Sequence, residues 1–323
     1  MTANPSVGKI YSLDIYHDLH AVADLIELAF ADQMDPDGRD YIRYLRRLGD
    51  QTSRLYWGMG SFQNPRSPLQ GFVWKDDDKV VGNLSLIPFN KGGKFIYLIA
   101  NVAVHPDYRR LGIARKLTQQ ALEYARQKSA VSAWLQVRDD NPAAYHLYQT
   151  SGFIERKRRT TWLLDPKQPV PIVPPVDAEI GRRKNSEWII QKQWLEELYP
   201  PDVTWNLPYR KERFKPGLLA MIRRLYNGLW VRNWTAKREN EILGILTWES
   251  TNLFADSLWL ASCETWESEA IRSLIPGVRR NFSGRKPVML NYPAGRGSGA
   301  FQQVGFTHHN TLIWMECRLK FYD

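Results

Sequence analysis

Apolar and polar positions along this chain trace one unit twice. Near the start, YSLDIY reads as a short strand. From Asp18 to Phe30, the residues Leu19, Val22, Leu25, Ile26 and Ala29 recur at three- and four-residue spacing, which marks one helix face. Asp40 to Leu48 reads as a second short helix. GFVW and VVGNLSLIPF flank the polar turn KDDDK and predict two paired strands. KFIYLIANVAV, Lys94 to Val104, is a third, largely apolar strand. Gly112 to Lys128 follows as a helix, with Ile113, Leu117, Ala121 and Tyr124 at helical spacing. AWLQV is a strand, Asn141 to Gln149 a short helix and GFIERKRRTTWLL a final strand. The predicted order is β-α-α-β-β-β-α-β-α-β.

A proline-rich stretch, DPKQPVPIVPPVDAEIG, then breaks the pattern. It holds five prolines within ten residues. Proline fixes φ and donates no backbone hydrogen bond, so the stretch predicts a stiff extended linker. Beyond it SEWIIQKQWLEELY and KPGLLAMIRRLY read as helices. GLWVRNWTAK and ILGILTWES form a hairpin like the first, DSLWLAS is a third strand and SEAIRSLIPGVRR a helix. KPVMLNY and VGFTHHNTLIWMECRL close as strands. LYQTSGF, Leu147 to Phe153, is echoed by AFQQVGF, Ala300 to Phe306, and VVGNLSL more weakly by ILGILTW. The expectation is an α/β fold (an α+β mixed sheet) built of two tandem copies of one unit. Each copy is a mixed, mostly antiparallel sheet flanked by helices. The expected boundaries are 1–165, a linker over 166–180 and a second copy over 181–323.

Composition narrows the class. With 323 residues, 43% of them hydrophobic, the chain can bury a sizeable core. No apolar run approaches the roughly 18 residues of a membrane span, and no basic region followed by an apolar run marks a secretory signal. Two cysteines, Cys263 and Cys317, make no disulfide framework. The expectation is a cytoplasmic protein without a membrane partner. The net charge of +10 divides into +4 over residues 1–165 and +6 over 166–323. A spread excess of this kind fits an anionic ligand or an acidic partner. Nucleic acid is not the expected partner.

The candidate chemistry begins at VHPDYRRLGIARKL, Val104 to Leu117. Gly112 lets backbone approach a ligand with no side chain in the way. The first turn of the following helix leaves N–H groups unpaired, and these, with the helix dipole, favour an anion. Arg109, Arg110, Arg115 and Lys116 add positive charge. A pyrophosphate fits such a site, yet neither G-x-x-x-x-G-K-[ST] nor G-x-G-x-x-G is present.

The R-x-x-G-x-A segment after VAVHPDY resembles the acetyl-CoA signature of the GCN5-related N-acetyltransferases (GNAT). NPAAYHLYQTSGF, Asn141 to Phe153, resembles that family's second motif, N-x-x-A-x-x-L-Y-x-x-x-G-F. The resemblance implies acetyl-CoA as cosubstrate, an amine acceptor (small molecule or peptide) and direct transfer of the acetyl group. It implies that the turn Arg109, Arg110, Leu111, Gly112, Ile113, Ala114 and Arg115 holds the pyrophosphate. Val102 and Val104 would bond the pantetheine arm in a gap between splayed strands, one of their amides polarising the thioester carbonyl. Asn141 would bond the same arm, and Tyr148 would be the general acid, with Tyr145 a weaker substitute.

The sequence departs from the family at the base. Many members carry a glutamate in the strand before the signature, where this chain has Ile99, and KFIYLIANVAV holds no carboxylate. Tyr97, Asn101 or Ser85 could order a water chain, or the acceptor amine could be less basic, as an α-amino group is. The second copy lacks the glycine turn, carries Glu267 and Glu269 there, and has Phe301 opposite Tyr148. It is expected to be a degenerate copy that shapes the acceptor side. Its AGRGSGAF loop reads as a link, or as an anion cradle through Arg296. No metal site is expected, since the histidine pairs have no cysteine at zinc-like spacing. A monomer or weak dimer is expected. The alternatives are a non-catalytic acyl-CoA-binding or sensing protein and an acetyltransferase of protein N-termini or lysines.

Overall fold

The computed structural model of the chain describes residues 8–50, 70–165, 167–169, 171–281 and 286–319. Two compact units divide it. The first comprises residues 1–137, 141–156 and 314–323, and the second 138–140 and 157–313.

The first unit runs β1 (Lys9–Ser12), α1 (Leu19–Phe30), α2 (Pro36–Asp50), β2 (Gln70–Asp76), β3 (Lys79–Lys91) and β4 (Lys94–Val104). It continues through α3 (Ile113–Gln127), β5 (Ser132–Arg138), α4 (Pro142–Thr150) and the opening residues of β6 (Ile154–Leu164). β1 to β4 pair antiparallel in sequence order, and β5 adds parallel to β4. Side chains alternate across the strands. On β2, Val73 joins the α1 residues Leu19, Val22, Leu25 and Ile26 on one face. Its neighbour Phe72 meets Tyr124 of α3 on the other, ring centroids 5.7 Å apart. Helices therefore cover both faces. Burying each of these leucines and isoleucines contributes about 1.5–3 kcal/mol.

Two boundaries differ from the sequence reading. β1 ends before YSLDIY is complete, because the Asp14 carboxylate accepts the Tyr16 amide at 2.8 Å while the Asp14 amide donates to Asp18 at 3.0 Å. Those bonds turn the chain. α2 begins four residues earlier than expected: Asp35 accepts the Gly38 amide at 2.7 Å, and Pro36 occupies the first helical position.

The second unit runs β7 (Glu179–Arg182), α5 (Trp188–Leu198), α6 (Pro201–Thr204), α7 (Leu218–Tyr226), β8 (Val231–Arg238), β9 (Glu241–Glu249) and β10 (Asp256–Ala261). Then come α8 (Glu267–Val278), β11 (Val288–Pro293), α9 (Ser298–Gln303) and β12 (Thr307–Arg318). β7 to β10 pair antiparallel, and β11 adds parallel to β10, repeating the first unit. The echo between VVGNLSL and ILGILTW has a packing cause. A Cβ on Gly82 would stand 2.8 Å from Ile113 at the start of α3, and one on Gly244 would stand 2.6 Å from Ala270 of α8. Each glycine lets a helix lie close on its sheet.

The compact units differ from the halves 1–165 and 181–323 at their last strands. β6 belongs to the first unit through Arg156 and to the second from Lys157, where it pairs antiparallel with β11. β12 belongs to the second unit through Ile313 and to the first from Trp314. Within the first unit the Leu319 amide donates to the Val131 carbonyl at 3.1 Å, and Arg156 Nε to Glu316 at 2.9 Å. The described part of the proline-rich segment has no regular structure until β7, which begins at Glu179 inside the expected linker, and it is held down. Arg279 donates to the carbonyls of Asp165 and Gln168 at 3.0 and 2.7 Å within the second unit.

Candidate active site

In the turn before α3, Arg110 lies at φ +65° and Gly112 at φ +78°. Left-handed residues two apart point successive amides into one concavity, a shape that receives anions. The Lys116 amide bonds the Gly112 carbonyl at 3.0 Å. Among the described residues, the amides of Arg110 to Arg115 have no backbone acceptor. Gly112 caps α3 without any side-chain bond and with open space where a Cβ would stand. Ile113 is buried, so it presents only its amide here, whereas Arg109, Arg110, Leu111, Gly112 and Arg115 are exposed and Ala114 is half-buried. Arg115 reaches Thr150 of α4 at 3.4 Å, and Lys116 lies over the Trp74 ring.

Beside the turn the sheet opens. β4 and β5 pair from Ile96 with Ser132 to Ile99 with Leu135, and then both continue unpaired with each other. The His105 amide donates to Val81 on β3 at 2.9 Å. Amides alternate between the two edges of an extended strand, so those of Val104 and Val102 point to the open edge. Arg109 Nε reaches the Val104 carbonyl at 3.4 Å, which leaves the Val104 amide as that residue's remaining donor.

α4 supplies Asn141 and Tyr148. Asn141 caps the helix, its Oδ1 accepting the Ala144 amide at 3.0 Å, so its Nδ2 is the group left for another partner. Tyr148 is 7% exposed and packs edge-on against Phe153. Burial pushes its phenol above the ordinary tyrosine range. Tyr145 is held elsewhere: its hydroxyl donates to Glu155 at 3.0 Å.

The residues considered for proton removal separate. Tyr97 packs on Tyr124 and so faces α3, with its phenol pushed up to about 12 by burial. Asn101 sits in a bulge of β4 at φ +52°. Its carbonyl accepts Asn83 Nδ2 at 2.9 Å, and its Nδ2 reaches the Tyr41 hydroxyl at 3.0 Å and Ser85 Oγ at 3.4 Å. Asn83 is fully buried, and its Oδ1 has no partner among the described residues. Asn101 and Ser85 are therefore brought together and Tyr97 is not. Tyr41 and Asn83 are added, residues that the sequence reading placed only in a helix and a strand. The Asn83 position is Ile245 in the second copy, a difference visible in the echoed strands. Ile99 is buried and has no group that can accept a proton.

The second copy closes the corresponding place with its own side chains. Glu267, the first residue of α8, is buried and accepts the Tyr292 hydroxyl at 2.7 Å and Arg296 at 2.6 Å. Arg296, considered above as part of an anion cradle, is thus already paired with a carboxylate. Phe301 is fully buried, stacked on Trp162. Among the described residues no group of three or more His, Cys, Asp or Glu side chains is arranged to hold a metal ion. No described helix is long and apolar enough to cross a membrane.

A turn of left-handed residues feeding a helix beside an opened pair of parallel strands defines an acyltransferase fold. Residues 26–153 belong to the GCN5-related N-acetyltransferase superfamily, matching the model described as "Acetyltransferase (GNAT) family". Over 62 residues it is 37% identical to the [ribosomal protein bS18]-alanine N-acetyltransferase of Escherichia coli strain K12, covering 19% of this chain and 42% of that one. Over 99 residues it is 32% identical to N-alpha-acetyltransferase 30 of Schizosaccharomyces pombe, covering 30% of this chain and 66% of that one. The chain thus spans less than half the length of the first of these relatives. Its fold is similar to that of a tandem GNAT protein from the clavulanic acid biosynthesis pathway. There the TM-score is 0.50, the identity 17%, and 98% of this chain and 100% of that one are covered.

Proposed function

We propose that the first unit transfers acetyl from acetyl-CoA to a primary amine by direct attack, and that the acceptor is the α-amino group of a protein or peptide. One observation carries the transfer reading. The unfilled amides of Arg110 to Arg115 lie next to a strand edge whose free donors are the Val102 and Val104 amides. The first group suits a pyrophosphate and the second an extended amide-bearing arm, which adds to a sheet edge as a strand does.

The roles follow from position. The turn, with Arg109, Arg110 and Arg115, holds phosphate charge. The Val102 and Val104 amides bond the arm, and one of them donates to the thioester oxygen as negative charge grows there. Asn141 Nδ2 bonds the arm from the α4 side. The acceptor nitrogen forms a bond to the acetyl carbon, and the carbon–sulfur bond breaks. Tyr148 gives its proton to the departing sulfur and regains one from solvent. The proton lost by the nitrogen passes to bulk solvent along water ordered by Asn101, Tyr41 and Ser85.

The acceptor class rests on what that group lacks. An aliphatic ammonium, with a pKa near 10, calls for a strong base, whereas an α-amino group near 8 needs only an ordered hydroxyl or water. Of the curated relatives named above, one is by its name an acetyltransferase of a ribosomal protein's alanine and the other an N-alpha-acetyltransferase. Ile99, where a carboxylate base would stand, favours a second reading, a non-catalytic acyl-CoA-binding protein.

Acetyl-CoA turnover against peptides of varied first residue, lysine peptides, polyamines and aminoglycosides tests the proposal, followed by free thiol. Calorimetry runs beside it. Turnover with N-terminal amines supports it, and turnover with polyamines alone rejects the acceptor class. Binding without thiol release from any amine favours the second reading. No binding removes both.

A further inference from the structure

α7 turns its apolar side outward. Leu218, Leu219, Ile222, Leu225 and Tyr226 recur at i, i+1, i+4, i+7 and i+8, which places them on one stripe of the helix. All five are exposed, Leu219 by 83% and Tyr226 by 91%. The helix is held from its other side, where Arg224 donates to the carbonyls of Arg213 and Lys215 at 2.8 and 2.9 Å. An ordinary surface helix has the reverse arrangement.

The segment that carries the stripe is basic: residues 210–232 hold seven Lys and Arg against Glu212 alone. Lys211 and Arg213 are paired with Glu196 and Glu249, while Lys215, Arg223 and Arg232 have no ion-pair partner among the described residues. Arg223 flanks the stripe on the helix. Trp230, 62% exposed, follows α7 closely in the chain. Exposed leucines and isoleucine with basic residues beside them, and Trp and Tyr near the edge, match the chemistry of an anionic bilayer surface. A second copy of the chain fits less well. A nine-residue helix is about 13 Å long and about 10 Å wide, so its face falls far short of the roughly 800 Å² per partner of a stable dimer.

We propose that α7 docks the protein on an anionic lipid surface, lying in the interface plane without crossing it. This departs from the expectation of no membrane partner, and it does not depend on the acceptor proposed above.

Flotation of the full chain with phosphatidylcholine vesicles, with and without phosphatidylglycerol, tests it. The expected result is binding to the anionic vesicles that weakens with salt. Leu219→Asp combined with Ile222→Asp should lower partition about tenfold or more. Arg223→Glu should lower it on anionic vesicles only. Both variants change exposed side chains, so thermal melting and acetyl-CoA binding should be unchanged. Absence of flotation overturns the proposal. So does light scattering that finds a wild-type dimer made monomeric by the double substitution, since a second copy would then cover the stripe.

Discussion

Asn101 Nδ2 lies 3.0 Å from the hydroxyl of Tyr41, a residue sixty positions earlier on another element. The bulge of β4 makes this meeting possible, because Asn101 at φ +52° leaves the regular alternation of the strand. Burial pushes the Tyr41 phenol up, while the bond to Asn101 works the other way. The hydroxyl therefore stays protonated at neutral pH and acts by relay. Tyr41→Phe keeps the ring and removes the relay. The expected outcome is a fall in kcat of about tenfold with acetyl-CoA affinity unchanged. Asn101→Gly keeps the backbone conformation and should give a similar loss. Steady-state kinetics with calorimetry separates the two effects, and unchanged kcat in both variants would remove the relay.

Tyr148→Phe should lower kcat by about a hundredfold and leave the affinity for acetyl-CoA within twofold. The sign of the pH dependence follows from burial. Its phenol is raised, so the proton needed by the leaving sulfur is retained as pH rises past the ordinary tyrosine value near 10. The rate of the wild type should rise with pH as the acceptor amine deprotonates and show no alkaline fall up to about pH 9.5. A fall centred near pH 8 would assign the acid to another group.

Substitutions in the anion turn should act in opposite directions on stability. Gly112 sits at φ +78° with open space around the missing Cβ, so Gly112→Ala meets no clash and costs about 1–2 kcal/mol from φ alone. Arg110 at φ +65° already bears that cost, and Arg110→Gly should relieve part of it. Both should weaken acetyl-CoA, the first by disturbing the amides and the second by removing charge. Melting curves and calorimetry on the two variants check the pair.

Glu267→Gln should destabilise the chain by about 2 kcal/mol, because Arg296 loses its charged partner beside the buried Tyr292 hydroxyl. One acetyl-CoA per chain should bind before and after the change. A second equivalent in the variant would mean that Glu267 alone closes the second copy.

A fragment of residues 1–165 contains both acetyl-CoA motifs, yet it lacks the Leu319 bond to Val131 and the Glu316 pair with Arg156. It should fail to bind acetyl-CoA and should lack a cooperative melt. A cooperative fragment with full affinity would show that the end of β12 is dispensable.

Much of the site was legible because its signals are local. The turn Arg109 to Arg115, the strand up to Val104 and the helix with Tyr148 lie in or beside short motifs that resemble the family's, and Arg115 of the turn reaches Thr150 on the helix that carries Tyr148. Tyr41 gave no such signal. Its role depends on a bulge and on packing between elements, neither of which has a period. The edge strand β7 escaped for a related reason: Glu179–Arg182 is exposed throughout, so no alternation marks it. The helix at α7 was readable from its apolar spacing, but spacing cannot say whether a stripe faces the core or solvent. The exchange of strand ends at Arg156 and Ile313 lay beyond reach because pairing between distant segments leaves no trace in either one.

That exchange also bears on how the protein is made. A chain leaving the ribosome exposes the RRLGIA turn, Asn141 and Tyr148 early, yet the unit that contains them closes only when Trp314 to Leu319 have emerged. Throughout synthesis of the second half, the nascent first unit has an unfilled sheet position beside β5. On the proposed reading the acetyl-CoA site is completed late, and a premature stop in the second half should cost the first unit its binding along with the lost length.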